Sequence, residues 1–210
     1  MVGYLDTDQL ILGPGVVCLG FFDGVHLGHR AIIDQGKQKA AELGLPLYVH
    51  TYDIPPMNLV KHADAVKELS PLPQKAALLE EAGVDVVAVS RFDDRLMRMD
   101  GSQFFSDILL ERLHARHLVI GYDHRFGYKG STDAKALEAL CARSGIGLSV
   151  VGAVTLPDGR AISSSAIRKA LTRGDTALAQ RMLGRPVTQA MKDIFFSINR
   201  ETEKVEEGFA

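Results

Sequence analysis

The chain has 210 residues, of which 46% are hydrophobic and 24% are charged, and its formal net charge is −2. This balance is typical of one ordinary globular domain, and it excludes the broad basic surface on which nucleic-acid binding depends. We find no apolar run long enough to span a membrane and no signal peptide, so we expect a cytoplasmic protein whose two cysteines, Cys18 and Cys141, are buried free thiols.

Short apolar runs alternate with longer segments of helical periodicity, a pattern typical of repeated βαβ units. The predicted strands are Val16–Gly20, Leu47–Tyr52, Val84–Val89, Leu118–Gly121 and Leu148–Val151. The predicted helices are Arg30–Leu43, Leu72–Glu81, Gln103–Leu113, Asp133–Arg143, Ser164–Thr172 and Asp175–Leu183. The sequence therefore predicts an α/β fold with a five-stranded parallel sheet, helices on both faces, and a ligand site at the carboxyl ends of the strands.

The first predicted strand leads into the segment Gly20-Phe21-Phe22-Asp23-Gly24-Val25-His26-Leu27-Gly28-His29. His26 and His29 share one face where a helix should begin, so their rings can donate hydrogen bonds to a phosphoryl group under attack. Gly28 has no Cβ, which leaves room for a nucleotide beside the free N–H groups of the first turn. The alternative is that the two histidines only cap and solvate this helix.

A second motif, Gly159 to Arg168, places three serines at the start of a later predicted helix. Serines alone indicate no more than an ordinary N-cap. Arg168 lies one turn beyond Ser164, however, so hydroxyls, free N–H groups and a guanidinium are expected to form a cradle for the leaving β- and γ-phosphates of a nucleotide.

Together the two helix starts resemble the nucleotidyltransferase superfamily, and four ordered motifs resemble bacterial FAD synthetases in particular. Gly20 to His29 looks like the family signature Gly-x-Phe-Asp-Gly-Val-His-x-Gly-His, and Ile162 to Arg168 looks like Ile-Ser-Ser-Thr-x-x-Arg. Gly121 to Gly127 is similar to Gly-x-Asp-Phe-x-Phe-Gly, and Leu183 to Pro186 is similar to the closing Leu-Gly-Arg-Pro. The resemblance runs from about Gly15 to Pro186.

This resemblance implies a Rossmann-like nucleotidyltransferase fold that converts ATP and FMN into FAD and pyrophosphate with Mg²⁺. The implied catalytic residues are His26, His29, Ser164 and Arg168. Nucleotide contacts are implied for Gly20, Phe21, Phe22, Asp23, Gly28, Gly121, Tyr122, Asp123, Ser163 and Ser165. Flavin contacts are implied for Asp123, Arg125 and Phe126. From the residues alone, Asp123 is equally well explained as a turn aspartate after the fourth predicted strand.

The match departs from the family at several places. Family members usually carry Pro-His-Pro after the second strand, with the histidine facing nucleotide phosphates, whereas this chain has Ile54-Pro55-Pro56. His124 stands where the family has phenylalanine, and Phe21 and Ser165 differ from the commonest family residues. A serine still offers a hydroxyl in place of threonine, but proline cannot replace an imidazole.

We hypothesise that His50, His62 or Lys61 compensates for the missing imidazole, because all three are close in sequence to the end of the second predicted strand. For any one of them, the simpler explanation is a polar residue on a surface loop.

The resemblance divides the chain into a nucleotidyltransferase domain, residues 1–186, and a helical and charged tail, residues 187–210. A tail of this length is too short for the β-barrel with which bifunctional relatives phosphorylate riboflavin, so no riboflavin-kinase activity is expected. Two alternatives to an FMN adenylyltransferase stay open: a divergent paralogue that holds ATP or flavin without turnover, and a nucleotidyltransferase with another phosphate acceptor.

Overall fold

The structure, a computed structural model, describes residues 1–5, 10, 12–60 and 66–195. Its strands are β1 (Val2–Tyr4), β2 (Gly15–Leu19), β3 (Leu47–Tyr52), β4 (Val86–Ser90), β5 (Ala115–Gly121) and β6 (Gly147–Val151). All are parallel in one sheet with the order β1-β4-β3-β2-β5-β6. The expected α/β fold is confirmed, and the five predicted strands are joined by β1, which pairs with the edge of β4.

The helices are α1 (Leu27–Leu43), α2 (Pro56–Val60), α3 (Leu72–Glu81), α4 (Asp94–Arg98), α5 (Gly101–Gln103), α6 (Ala134–Ser144), α7 (Ser164–Thr172) and α8 (Thr176–Leu183). After α5 the chain widens into a π-helix, Phe104–Arg112, which ends where the Leu113 N–H donates to the carbonyl of Ile108, five residues earlier. Residues 189–195 are also helical. Among the described residues, no helix has the length and apolar character that crossing a membrane requires.

The central strands β2, β3, β4 and β5 contribute side chains to two separate cores. In β2, Val17 and Leu19 pack with Phe105 and Leu109 of the π-helical segment on one face of the sheet. Val16 and Cys18 point to the other face, where they pack with residues of α1 and α3. Because successive strand residues alternate between faces, both faces of this strand must be apolar when helices cover both sides. This explains why the run is continuously hydrophobic.

The direction in which the chain adds strands reverses at β2. Strands β3, β4 and β1 lie on one side of β2, and β5 and β6 lie on the other. In a doubly wound sheet, the loops that follow the two strands at such a reversal diverge and leave a crevice between them. The expected location of a ligand site is therefore between the ends of β2 and β5.

A third core holds the C-terminal part of the described chain against the sheet domain. Ile167 and Leu171 of α7, Met182 of α8, and Val187 and Phe195 beyond it are buried together. This packing fixes α7 so that its first turn faces the first turn of α1. Residues 196–210, the remainder of the predicted tail, lie outside the described part of the chain.

Candidate active site

Two cavities open at the carboxyl edge of the sheet. The first, which we call the switch-point cleft, has a volume of about 530 Å³ and lies between the ends of β2 and β5. The second, which we call the aromatic chamber, has a volume of about 500 Å³ and lies between the segments that follow β3, β4 and β5. Arg125 lines both cavities.

The loop between β2 and α1 forms one wall of the cleft and has an unusual backbone. Phe22 and Val25 have positive φ angles of 56° and 38°, and both side chains are completely buried. A β-branched residue rarely adopts this conformation, so tertiary contacts must hold it there. One such contact is the N–H of Gly24, which donates to Ser70 Oγ at 2.8 Å. The sequence motif predicted the loop but not this strain.

His26 and His29 lie at the start of α1 with their rings stacked, their centroids 3.7 Å apart. His26 caps the helix, since its Nδ1 accepts a hydrogen bond from the His29 N–H at 3.3 Å. An accepting Nδ1 places the proton of a neutral His26 ring on Nε2, which is then a hydrogen-bond donor. A Cβ on Gly28 would lie 3.1 Å from His26 Cε1, so this glycine makes room for the His26 ring as well as for a ligand.

Both imidazoles of this pair are neutral near pH 7. Burial, together with the smaller effects of the Arg185 and Arg168 charges, lowers the pKa of His26 to about 4. Burial also holds the pKa of His29 well below its usual value, with contributions from His26 and Lys75. The pair therefore offers N–H donors rather than positive charge. His29 Nδ1 is buried without a hydrogen-bond partner among the described residues, which suits an atom that meets a ligand.

The first turn of α7 faces the same cleft. Ser163 is its N-cap, accepting from the Ala166 N–H at 3.1 Å, and Ser164 Oγ donates to the Asp23 carbonyl oxygen at 2.9 Å. Ser165 is exposed, and all three serines line the cleft. The free N–H groups and positive dipole ends of α1 and α7 thus converge on one space, an arrangement that binds phosphates. His29 and Ser164 therefore line the same cleft.

Asp23 and Arg168 form an ion pair behind the cleft wall. The carboxylate of Asp23 is buried and accepts from the N–H groups of Leu69 at 2.9 Å and Ser70 at 3.0 Å. Arg168 Nη2 also donates to it, and Arg168 Nε donates to the Lys67 carbonyl oxygen at 2.8 Å. Neither side chain is among those that line the cleft. A direct phosphate contact by Arg168 would require this ion pair to open.

Lys75 is a buried cation that the sequence analysis missed. Its Nζ donates to the Phe21 carbonyl oxygen, Thr51 Oγ1 and the Tyr52 carbonyl oxygen, each at 3.1 Å, so all three of its donors are used. Burial lowers its pKa to about 8, and nearby carboxylates partly oppose that change. The ammonium joins the ends of β2 and β3. The sequence could have indicated this role, because Lys75 interrupts the apolar stripe of α3 beside Ala76 and Leu79.

The aromatic chamber is walled by rings in mutual contact. Tyr52 meets Phe92 with centroids 5.1 Å apart, and Phe104 meets Phe126 at the same separation. His50 lies behind them, 5.2 Å from the Tyr52 ring and 5.5 Å from the Phe104 ring. Four aromatic rings that line a cavity of this size can enclose a flat, fused-ring ligand.

The remaining predicted site residues divide between the two cavities. Those that line the cleft are Gly20, Phe21, Phe22, Gly28, Gly121, Tyr122, Asp123 and Arg125. Phe126 lines the chamber instead. Asp123 is the single carboxylate lining the cleft in the described part of the chain, and it does not line the chamber.

Of the three residues proposed to compensate for a missing imidazole, His50 is in the described part of the chain, and it lines neither cavity. His50 is buried, and its Nε2 shares a hydrogen bond of 2.9 Å with Ser90 Oγ. Burial lowers its pKa to about 3, so its ring is neutral. Lys61 and His62 lie outside the described residues.

The described residues contain no group of three His, Cys, Asp or Glu side chains placed to hold a metal ion. Mg²⁺ usually keeps several waters and binds through substrate phosphates with one or two carboxylates rather than in a dedicated protein cage. Asp123, the carboxylate that lines the cleft, fits this mode of binding.

Comparisons with known proteins identify the family. The profile of the family described as FAD synthetase matches residues 9–166. A bifunctional riboflavin kinase/FMN adenylyltransferase from Listeria monocytogenes is 39% identical over 185 residues, covering 88% of this chain and 58% of that protein. A protein of the same name from Haemophilus influenzae is 38% identical over 182 residues, covering 87% and 59%. The chain belongs to the FAD synthetase family.

The fold of this FAD synthetase family member agrees with a crystal structure of a macrolide-efflux protein from Streptococcus pneumoniae. The TM-score is 0.79 at 25% identity, over 89% of this chain and 60% of that one. The chain thus spans less than two thirds of each of these relatives.

Family membership makes the substitution at Pro55 easier to interpret. Pro55 is buried, its carbonyl oxygen accepts from the Asn58 N–H at 2.9 Å, and Pro56 is the first residue of α2. Proline is well suited to the first turn of a helix. In this chain, the position at which the family has a histidine is therefore used to start a helix beside the chamber.

Proposed function

We propose that this chain transfers the adenylyl group of ATP to FMN, forming FAD and pyrophosphate. The observation that carries this proposal is the convergence of two helix N-termini, the His26–His29 pair and Ser165 on one cleft that adjoins an aromatic chamber. The names of the curated relatives include this activity.

The two cavities suit the two substrates. The triphosphate of ATP lies in the switch-point cleft, where N–H groups of α1 and α7 bind its oxygens. The isoalloxazine of FMN lies in the chamber against Phe104 and Phe126, because stacking on aromatic rings stabilises a flat heterocycle. Arg125, which lines both spaces, is available to the ribityl phosphate that joins them.

The reaction is a direct displacement at phosphorus. A phosphate oxygen of FMN attacks the α-phosphorus, a new P–O bond forms, and the bond from that phosphorus to the bridging oxygen of the β-phosphate breaks. Pyrophosphate leaves with the electron pair. The attacking phosphate is already ionised, so the step requires no general base, and the chain's task is to orient the groups and stabilise charge.

Each part of the cleft then has a distinct role. Neutral His26 and His29 donate hydrogen bonds to the oxygens of the transferring phosphoryl group. Ser165 and the free N–H groups of α7 hold the departing pyrophosphate. Asp123 is the carboxylate that would hold Mg²⁺ bound with ATP, and the ion would neutralise part of the phosphate charge. Lys75 fixes the backbone of Phe21, at the entrance to the His26–His29 loop.

The test is to incubate the protein with Mg²⁺, ATP and FMN and to measure FAD and pyrophosphate. FAD should form, and His29→Ala should lower kcat by about 100-fold or more because a transition-state donor is lost. His117→Ala is the matched control: this histidine lies on β5, bonds Ser149 at 2.8 Å and lines neither cavity. Its kcat should be unchanged.

Two other outcomes would replace the proposal. Binding of ATP or FMN by the folded protein without product would indicate a non-catalytic binding module. Pyrophosphate release only with a different phosphate acceptor would keep the nucleotidyl transfer and change the acceptor.

We also infer a cytoplasmic location. Cys18 and Cys141 are free and buried, and unpaired thiols fit a reducing compartment. Fractionation of the native cells would contradict this inference if the protein were recovered outside the cytoplasm.

A further inference from the structure

His124 lies at the boundary between the two cavities. It follows β5 by three residues, and its side chain lines the switch-point cleft. Its ring also meets that of Phe126, which lines the chamber, with centroids 5.9 Å apart. The residue between them, Arg125, lines both spaces. His124 therefore lies next to the segment that both cavities share.

The ring of His124 has no hydrogen-bond partner in the described part of the chain. In contrast, His50 bonds Ser90, His117 bonds Ser149, and His26 accepts from the backbone of His29. An imidazole carries at least one ring N–H, so His124 can donate a hydrogen bond. His124 is partly exposed at the cleft, so its ring can meet a ligand that enters there.

We propose that His124 binds the phosphate of FMN where that phosphate enters the cleft to attack ATP. This proposal rests on the proposed FMN adenylyltransferase activity. The isoalloxazine lies in the chamber and the α-phosphorus lies in the cleft, so the FMN phosphate must bridge the two. A ring N–H of His124 donates to one of its oxygens and orients another toward phosphorus.

The family motif has phenylalanine at this position, and a phenyl ring cannot donate. The substitution that departs from the family pattern thus adds a phosphate ligand, in a chain that has proline at the histidine position of the Pro-His-Pro motif.

Comparing FMN with riboflavin tests the proposal, because riboflavin carries the same ring system without the phosphate. His124→Phe keeps a flat ring against Phe126 and removes the donor. Its Kd for FMN should rise about 10-fold, as expected for a hydrogen bond to a charged group, while its Kd for riboflavin stays unchanged. Flavin fluorescence titration measures both constants, and thermal denaturation confirms that the variant is folded.

Two donor-keeping variants and one control complete the experiment. His124→Asn and His124→Gln place amide N–H groups near the positions of Nδ1 and Nε2, so one of them should bind FMN within about threefold of the unaltered protein. His117→Phe makes the same chemical change away from both cavities and should leave both constants unchanged. In turnover, His124→Phe should raise the KM for FMN and leave the KM for ATP unaffected.

An equal loss of FMN and riboflavin binding would show that the ring only packs, and it would overturn the proposal. An unchanged Kd for FMN in His124→Phe would overturn it as well. These outcomes differ from a failure of the proposed function, in which the unaltered protein binds no flavin or forms no FAD.

Discussion

Asp23 is the most heavily bonded side chain of the site. It receives two backbone N–H donors and the guanidinium of Arg168, all within the wall of the cleft. A buried ion pair contributes little net free energy when it is complete, but removing one partner leaves the other charge uncompensated. We therefore expect substitution of either residue to lower the free energy of unfolding.

Asp23→Asn and Arg168→Met should each lower the free energy of unfolding by about 3 kcal/mol, and the double variant should lose less than the two single losses combined. Urea denaturation at pH 7 measures all four proteins. Additive losses would contradict the pairing. If Arg168→Met were as stable as the unaltered protein but bound pyrophosphate more weakly, the guanidinium would instead contact the phosphates directly.

At the scale of single residues, the sequence predicted the groups that lie on one helix turn and missed those that meet across the fold. His26 and His29 are three residues apart, and a helix places such residues on one face. Asp23 meets Arg168 across 145 positions of the chain, and Lys75 meets Phe21 across 54. Local spacing contains no information about such distant partners, so those roles needed the structure.

At the scale of elements, α1 packs unusually close to the sheet at Gly36. A Cβ at this position would lie 2.5 Å from Cys18 Sγ and 2.8 Å from Leu47 Cδ1. Alanine is favoured over glycine inside a helix by about 1 kcal/mol, but overpacking of a core costs about 1–3 kcal/mol. The close approach should therefore outweigh helix propensity.

Gly36→Ala should lower the melting temperature by several degrees, since about 1 kcal/mol shifts the Tm of a domain this size by about 2–4 °C. Gly13→Ala is the control, because nothing lies within 4 Å of a Cβ there. Adding Cys18→Ala to Gly36→Ala removes Sγ, so the pair should interact favourably in a double-mutant cycle. If Gly36→Ala lowered the Tm by the same amount in the unaltered protein and in Cys18→Ala, the packing argument would be wrong.

The elements that the sequence predicted are those with strong periodicity. The strands that form the centre of the sheet and the helices that cover it were expected, since continuous apolar runs and amphipathic stripes mark them. The strand β1 has only three residues, too few for a pattern, and pairs with β4 by backbone bonds. The π-helix Phe104–Arg112 was expected as an ordinary helix, because side-chain spacing does not distinguish the two over two turns.

At the scale of the whole molecule, buried histidines make folding sensitive to acid. Burial lowers the pKa values of His26 and His124 to about 4 and of His50 to about 3, and it lowers that of His29 as well. In the unfolded chain these groups take up protons below a pH of about 6.5, while in the folded chain they do not. The contribution of these histidines to stability is thus constant well above that pH and falls as the pH drops from 6.5 toward 4.

Each of these histidines should remove about 1 kcal/mol of stability between pH 7.0 and 5.5, so the Tm should fall by on the order of 10 °C. Glu68 opposes this by at most one proton, because burial raises its pKa. Thermal denaturation across that range measures the slope, and His124→Phe should reduce it by about a quarter. A Tm that is independent of pH between these values would contradict neutral burial.

The strand order also determines when binding competence arises during synthesis. Strands β2, β3 and β4 are complete once Ser90 has been made, yet the cleft also needs β5, which ends at Gly121, and the first turn of α7 at Ser164. Four of the six strands, β1 to β4, are thus made well before the residues that complete the cleft. If the cleft binds ATP as proposed, ATP would stabilise only a chain that has been synthesised to at least Ser164.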